Sequence, residues 1–399
     1  MTDRSKWILP AIIFSQFAGT SLWFAGNAIL PDLQRQGNLD NDFVGIITSA
    51  VQLGFIAGTL GFAVFTISDR FSPRIVFFVS CIAGAMFNIC LLLIGVNVHS
   101  VLLLRFLTGV SLAGIYPVGM KIASGWYRQG LGGALGFLVG ALVLGTSFPH
   151  FLKSFGSSLD WREVISCISL LSALGGLVMV LLVPDGPHLS NVAPFNIRAM
   201  GSIFKSKDLR SAAFGYFGHM WELYAFYSFL PFILSAYALA HRYEGLNVPL
   251  WSFAIIAAGC IGCAAGGMLS AAIGSAPVAA IQLRCSGACC LLSPLLFNAP
   301  SGIFLPFMII WGISVVGDSP QYSALSARFA PQDLVGSTLT IMNSIGFSIT
   351  IVSIGLTSYL SHLLNAEFVL LPLAIGPVIG LVCFRRLYGL TEFGVSGKR

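Results

Sequence analysis

Long apolar stretches separated by short polar segments run along the whole chain. Twelve stretches are long enough to form membrane-spanning helices, because crossing the hydrocarbon core of a bilayer takes roughly 20 apolar residues. They lie near residues 7–30, 43–66, 75–97, 100–124, 130–152, 161–183, 211–236, 248–272, 276–297, 302–326, 334–360 and 366–386. The first exceeds the roughly 7–15 apolar residues of a signal peptide, so we expect it to be retained. The pattern predicts an all-α membrane protein with twelve transmembrane helices.

The amino-acid composition agrees with this pattern. Hydrophobic residues make up 56% and charged residues 9% of the 399 positions, whereas roughly 25% of a soluble domain is charged. Nine cysteines lie almost wholly within the apolar stretches, and no histidine or acidic residue accompanies them at a metal-ligand spacing. We interpret them as small buried hydrophobic residues, and we expect neither a metal site nor a cofactor.

The distribution of lysine and arginine predicts the orientation of the chain. These residues favour the cytoplasmic side in short loops, and with both termini inside, fourteen of them lie on that side. Those on the other side are Arg35, Lys153, Arg162 and Arg242. The net charge of +6 reflects this topology, and we expect no nucleic-acid partner.

The chain also divides into two similar halves. A polar segment at residues 184–210 separates a predicted six-helix bundle at 1–183 from a second one at 211–399. The stretch GVSLAGIYP at 109–117 repeats as GISVVGDSP at 312–320, an offset of 203, and a weaker match at an offset of 200 relates the first span to the seventh. Such duplication is typical of transporters whose halves rock about a central site.

The loop between the second and third spans and the fourth span resemble motifs of the major facilitator superfamily. The loop reads FTISDRFSPR, in which Asp69, Arg70 and Arg74 match the family's Gly-x-x-x-Asp-Arg-x-Gly-Arg-Lys signature, although the glycines are replaced. In the fourth span, Arg105 and Gly109 fit the family's Arg-x-x-x-Gly motif. The resemblance covers essentially the whole chain. It implies that the loop is a conformational latch for the outward-open state and that Arg105 takes part in proton coupling.

Narrower features refine the resemblance. The stretches SLWFAGNAILPDL, AGIYPVGMK, GHMWELYAF and GDSPQYSAL are loosely similar to bacterial twelve-helix permeases of the nitrate/nitrite or cyanate type. The fifth span lacks the Gly-Pro pair of the antiporter motif, which favours uptake over drug/proton exchange. The resemblance implies a monomer in the bacterial cytoplasmic (inner) membrane.

Only two acidic residues lie at bilayer depth. Glu222 is near the middle of the seventh span and Asp318 is in the tenth. Charged groups there are costly, so each needs a partner, a wet cavity or a function, and a buried carboxyl group can bind and release a proton near neutral pH. His219, one helical turn from Glu222, is a possible relay. The alternative is permanent pairing with Arg105, Lys121 or a hydroxyl group.

The remaining candidates are polar residues of the spans. Arg105 must face a carboxylate, backbone carbonyls or a substrate anion, and on an ideal helix it shares a face with Tyr116. Lys121 and Arg284 are expected to snorkel to the membrane interface. The residues expected to bind substrate or couple its transport are Asn27, Arg105, Tyr116, His219, Glu222, Tyr224, Asp318 and Gln321.

The sequence thus favours a proton-coupled secondary active transporter of a small polar or anionic organic solute, working by alternating access. Proton-driven efflux of drugs or metabolites, or transport of a metal chelate such as a siderophore, is the alternative. The chain contains no P-loop, HExxH or GxSxG motif, so we do not expect an enzyme. The expected partners are a small-molecule substrate, protons and membrane lipids.

Overall fold

A computed structural model describes residues 5–37, 43–93, 97–127, 131–156, 159–189 and 195–392. Within these ranges the chain is helical and contains no β-strand. The helices of the first half are α1 (Ser5–Thr20), α2 (Ala25–Ala28), α3 (Leu30–Gly37), α4 (Phe43–Val64), α5 (Ile67–Arg70), α6 (Pro73–Ile89), α7 (Val98–Ala113), α8 (Tyr116–Trp126), α9 (Leu131–Lys153) and α10 (Trp161–Leu182). Those of the second half are α11 (Arg198–Lys205), α12 (Lys207–Ala240), α13 (Val248–Ile273), α14 (Ser275–Phe297), α15 (Ser301–Gly317), α16 (Ser319–Phe329), α17 (Val335–Leu363) and α18 (Ile375–Glu392).

The structure breaks the first predicted span into three short helices. In the described ranges, eleven helical segments are long and apolar enough to cross a membrane, and they correspond to the second to twelfth predicted spans. The span at 7–30 is instead broken into α1, α2 and α3. Thr20 Oγ1 donates to Gln16 O at 2.7 Å and Ser21 Oγ to Ala18 O at 2.7 Å, and hydroxyls that bond back in this way compete with the helical hydrogen bonds. The fold is the predicted twelve-helix bundle with an interrupted first helix.

The helices pack as two bundles with the same arrangement. In the first, α4 packs along α7 and α1 along α9 and α10; in the second, α13 packs along α15 and α12 along α17 and α18. Two helix pairs, α4 with α17 and α9 with α13, join the bundles. The boundaries at 183 and 210 stay a prediction, and residues 190–194 of the segment between them lie outside the described residues.

Glycines permit the closest helix crossing in each bundle. A Cβ atom built on Gly54 of α4 would lie 2.0 Å from the carbonyl oxygen of Phe106 in α7. In the second bundle, a Cβ atom on Gly312 of α15 would lie 1.9 Å from the carbonyl oxygen of Ile255 in α13. Any larger residue would force the helices apart, so both crossings depend on glycine.

The repeated motif produces the same helix break twice. The fourth span is interrupted between Ala113 and Tyr116, and the tenth is interrupted at Asp318. Pro117 and Pro320 occupy the first turn of the helix that follows each break. Proline lacks an N–H group and its ring clashes with the preceding turn, so it starts a new helix there.

The segment between the bundles contacts the first bundle at its start, where Trp126 Nε1 donates to Pro184 O at 2.9 Å, and lies against the second bundle after that. The backbone N–H of Asn196 donates to Ser337 Oγ of α17 at 2.9 Å, and α11 packs against α12 and α17. The membrane face that carries α5 and α11 is the linker side, and the opposite face is the far side. Gly45 of α4 and Ser358 of α17 close the far side, since a Cβ atom on Gly45 would lie 3.1 Å from Ser358 Cβ.

Candidate functional site

A cavity of about 550 Å³ lies between the two bundles on the linker side. This volume falls within the range of about 300–1,000 Å³ that small-molecule sites occupy. Its walls come mainly from α4, α5, α8 and α9 of the first bundle, from α16 and α17 of the second and from Phe195 between the bundles. Ser124 and Ala324 line it and are exposed, so the cavity reaches the surface.

The cavity wall combines apolar groups with hydroxyl groups. The apolar lining includes Phe62, Met120, Leu135, Phe195 and Leu339. The uncharged polar lining consists mainly of short side chains and comprises Thr59, Thr66, Ser68, Tyr116, Ser124, Ser323, Ser337, Thr340 and Asn343. A few polar groups in a largely apolar wall are typical of sites that orient a small organic molecule.

Aromatic side chains from both bundles close the inner end of the cavity. Trp23, Phe55, Tyr224 and Phe347 form this aromatic plug, and all four are buried. The ring centroids are 4.5 Å apart for Phe55 and Phe347 and 5.7 Å apart for Trp23 and Tyr224. Because Phe55 is one helical turn from the cavity residue Thr59 in α4, the plug separates the cavity from the far side.

A buried ion-pair geometry lies at the break of the tenth span. His219 Nδ1 of α12 lies 2.8 Å from Asp318 Oδ1, and both side chains are 1% exposed. Within the described residues, His219 Nε2 and Asp318 Oδ2 have no hydrogen-bond partner. His219 thus contacts Asp318 and not its sequence neighbour Glu222. This geometry leaves one polar atom on each side chain for a second partner.

Glu222 lies apart from the His219–Asp318 pair and is surrounded by hydrogen-bond donors. Trp311 Nε1 donates to its Oε1 at 2.6 Å, Ser286 Oγ donates to its Oε2 at 2.9 Å, and Cys290 Sγ lies 3.4 Å from Oε1. In the described part of the chain no lysine or arginine pairs with it. Sequence reasoning missed all three donors, because they come from α14 and α15 and no local pattern relates them to α12.

The equivalent position in the first bundle is apolar. The offsets of 200 and 203 map His219 onto Gly19 and Asp318 onto Ile115. A Cβ atom on Gly19 would lie 2.7 Å from Ile115 Cγ2, so these residues also face each other. An apolar contact therefore suffices for helix packing at this place, and the packing alone does not account for the histidine and aspartate of the second bundle.

Arg105 lies inside the first bundle, away from the cavity wall. Its guanidinium group donates to Asn88 Oδ1 at 2.8 Å, to Thr108 Oγ1 at 2.9 Å and to Leu22 O at 3.3 Å. It is fully buried. Of the alternatives that the sequence left open, the structure gives Arg105 neutral oxygen partners. The break after Ala113 separates Arg105 from Tyr116, which does line the cavity.

The other candidates are distributed over both sides of the plug. Asn27 Nδ2 donates to Thr48 Oγ1 at 2.7 Å on the far side, and Tyr224 belongs to the plug. Gln321 is buried in α16 without lining the cavity. Arg284 stacks over the ring of Tyr388, with 4.5 Å between its Cζ and the ring centroid.

The residues predicted to form a latch make their contacts within the first bundle. Asp69 pairs with Lys121 of α8, whose ammonium group reaches the loop between the second and third spans. Its expected position at the membrane interface stays a prediction. Arg74 Nη1 donates to Val180 O at 3.3 Å, and its Nε lies 3.9 Å from Asp185 Oδ1. Arg70 is exposed. These contacts leave the cavity open towards the linker side.

Comparison with known proteins adds family relationships. A family model described as Major Facilitator Superfamily matches residues 12–354. The "Uncharacterized transporter YgaY" of Escherichia coli O157:H7 is 28% identical over 253 residues, which are 57% of this chain and 60% of the relative. The 4-hydroxybenzoate transporter PcaK of Pseudomonas aeruginosa is 24% identical over 163 residues, 39% of this chain and 35% of the relative. The matches thus span 60% or less of the length of these relatives.

Solved structures share the fold. A bacterial homolog of the human lysosomal transporter Spinster, in an inward-facing and occupied conformation, has a TM-score of 0.72 at 13% identity, with 100% of both chains covered. The human organic anion transporter MFSD10 (TETRAN) has a TM-score of 0.75 at 14% identity, covering 96% of this chain and 100% of the other. Both likenesses concern the fold alone.

Proposed function

The chain belongs to the major facilitator superfamily and is a multi-pass membrane transporter, and from that premise we propose that it is a proton-coupled secondary active transporter of a small organic anion. The bundles alternate between a state open to the linker side and a state open to the far side. The proposed direction is uptake, and the first candidate substrate is an aromatic carboxylate such as 4-hydroxybenzoate. The narrower similarity to nitrate/nitrite or cyanate permeases stays a prediction.

The orientation of this proposal rests on basic residues. The linker side carries Arg70, Arg74, Arg198, Lys205 and Arg328. Because lysine and arginine favour the cytoplasmic side, we assign the linker side to the cytoplasm, both termini to the same side and the protein to the bacterial inner membrane. The cavity then faces the cytoplasm, which makes the described conformation inward-open.

The single observation that carries proton coupling is the contact between His219 and Asp318. The two side chains lie 2.8 Å apart and are shielded from solvent, and the duplicated position in the first bundle needs only Gly19 and Ile115. Asp318 also sits at the helix break, where a movement of α16 relative to α15 changes its surroundings. Glu222, held by neutral donors, is the second proton carrier in this proposal.

Substrate contact is assigned to the cavity wall. Tyr116 and Asn343 offer hydrogen-bonding groups from opposite bundles, so one solute can contact both. Asn27 and Tyr224 flank the route to the far side, while Gln321 and Arg105 support the site from within the bundles. Asp69, Arg70 and Arg74 form the latch when the linker side closes. The name of one relative, a 4-hydroxybenzoate transporter, supports an anionic substrate.

Efflux of drugs or metabolites is the second candidate, and the apolar share of the cavity wall favours it. Phe62, Met120, Leu135, Phe195 and Leu339 would accommodate a lipophilic compound. In that case transport would proceed outward in exchange for protons.

The test is reconstitution of the full chain in liposomes that contain a pH-sensitive dye. An inward proton gradient should drive accumulation of radiolabelled 4-hydroxybenzoate, and adding the compound without a gradient should move protons with it. Accumulation that ignores the gradient would refute coupling. If only lipophilic cations cause proton movement, the efflux proposal replaces the uptake proposal.

A further inference from the structure

Two charged residues line the cavity, and they are paired with each other. Lys121 Nζ contacts Asp69 Oδ1 and also donates to the backbone carbonyl of Ser68 at 2.6 Å. No other charged residue is among the described residues of the cavity wall. The side chains of Lys121 and Asp69 are 18% and 21% exposed. The pair therefore sits at the boundary between the wall and the water that enters the cavity.

The position of this pair makes the carboxylate partner exchangeable. Ion pairs that solvent reaches contribute little net stabilisation, because water screens the attraction and competes for both groups. An ammonium group left without any anion in a largely apolar wall is less favourable. An anion beside the Lys121 ammonium group is therefore favourable, but the pairing with Asp69 in particular adds little net stabilisation.

The second bundle indicates that packing does not require the lysine. The offset of 203 maps Lys121 onto Ala324 of α16, which lines the opposite wall of the same cavity. Arg105, the cation that the sequence favoured for an anionic substrate, is enclosed by Asn88, Thr108 and Leu22. Among the cations placed by the structure, Lys121 is the one that a ligand in the cavity reaches.

We propose that Lys121 is an anion subsite at the linker-side mouth of the cavity, where the carboxylate of a substrate replaces the carboxylate of Asp69. This inference rests on the proposed function in taking the substrate to be an organic anion. Occupancy of the subsite releases Asp69, which belongs to the loop with the latch motif. The loop thereby responds to whether the mouth of the cavity holds an anion.

The test compares binding of benzoate with binding of the neutral benzamide to the purified full chain, using thermal-shift titrations to obtain apparent Kd values. Asp69→Asn removes the competing carboxylate and should tighten benzoate binding by about two- to fivefold, with benzamide binding unchanged. Lys121→Gln should remove the preference for benzoate, and Lys121→Arg should retain it. The matched control is Asp185→Asn, since Asp185 accepts from Ser72 Oγ, three residues beyond Asp69, but does not line the cavity.

If the ion pair is purely structural, Asp69→Asn should not tighten benzoate binding. Weaker or unchanged benzoate binding in Asp69→Asn, or no benzoate binding in either protein, overturns the subsite. Tightening in Asp185→Asn of the same size also overturns it. Failure of the transport proposal is distinguishable from failure of the subsite. If the wild type shows no proton-driven uptake but Asp69→Asn still binds benzoate more tightly, proton coupling is refuted and the subsite stands.

Discussion

His219 and Asp318 face each other across the helix break of the tenth span, with Nδ1 and Oδ1 2.8 Å apart. The first bundle brings Gly19 and Ile115 together at the corresponding place. Two halves of one chain thus share a backbone geometry and differ in chemistry at the same point. This difference allows the role of the pair to be tested separately from its contribution to folding.

Asp318→Asn should abolish proton-driven accumulation of 4-hydroxybenzoate while retaining exchange of the compound across the membrane. The amide keeps the size of the side chain but does not carry a proton through the transport cycle, whereas exchange needs no net proton movement. The measurements are gradient-driven uptake and counterflow in liposomes. Asp333→Asn, the same change at an exposed residue, should leave both intact. Loss of exchange as well would indicate a structural role for Asp318.

Trp311→Phe should destabilise the folded protein by about 1–3 kcal/mol, because it removes the indole donor that lies 2.6 Å from the buried Glu222 carboxyl oxygen. Glu222→Leu introduces the residue found at the equivalent position Leu22 of the first bundle. The double variant should lose less free energy of unfolding than the sum of the losses in the two single variants. Thermal unfolding in detergent measures both. Trp251→Phe, at a partly exposed tryptophan of α13, is the control, and additive losses would contradict a direct Trp311–Glu222 interaction.

Gly312→Ala should lower the midpoint of thermal unfolding by several degrees, since the new methyl group would lie 1.9 Å from the carbonyl oxygen of Ile255. The helix pair α13 and α15 must separate to accept it. Gly61→Ala places a methyl group where no atom lies within 4 Å, so it should change stability by less than about 0.5 kcal/mol. Equal effects of the two changes would show that the close crossing is not needed.

Phe55→Ala should open the far side more often, because it removes ring contacts with Phe347 and Trp23 at centroid distances of 4.5 and 4.9 Å. Of these two pairs only Phe55–Phe347 joins the two bundles, and one aromatic pair contributes about 0.5–1.5 kcal/mol, so the open population should rise about two- to tenfold. The reporter is Ser358→Cys, in a background without the nine native cysteines, labelled by an impermeant thiol reagent from the far side. Phe137→Ala, at a half-exposed ring, should not change the labelling rate.

The sequence predicted the architecture well, because the apolar stretches and the repeat are local signals. Among the residues that the structure describes, eleven spans appear where hydropathy placed them, and Glu222 and Asp318 are buried as expected. The interruption of the first span was not predicted, because hydroxyl residues such as Thr20 also occur in continuous helices, where Thr48 and Ser169 make the same bond to the preceding turn.

The partners of the buried groups could not be predicted from the sequence. Trp311 is 89 positions from Glu222, and Lys121 is 52 positions from Asp69. Helical periodicity gives the face of a residue only while the helix is continuous, and the break after Ala113 separates Arg105 from the cavity face that Tyr116 occupies. Such contacts depend on how the helices are arranged in three dimensions.

The interrupted first helix and its continuous counterpart α12 give the two bundles different mechanical properties. From Lys207, next to α11, to Tyr227, beside the plug, α12 runs without a proline over about 30 Å. This continuous helix should move as one rigid body, so a displacement of the segment between the bundles would shift Tyr224 by a similar distance. The opposing chain can bend between Thr20 and Ala25, close to Trp23. Of these two chain segments that contribute to the aromatic plug, α12 would therefore move as a rigid unit and the segment around Trp23 would bend.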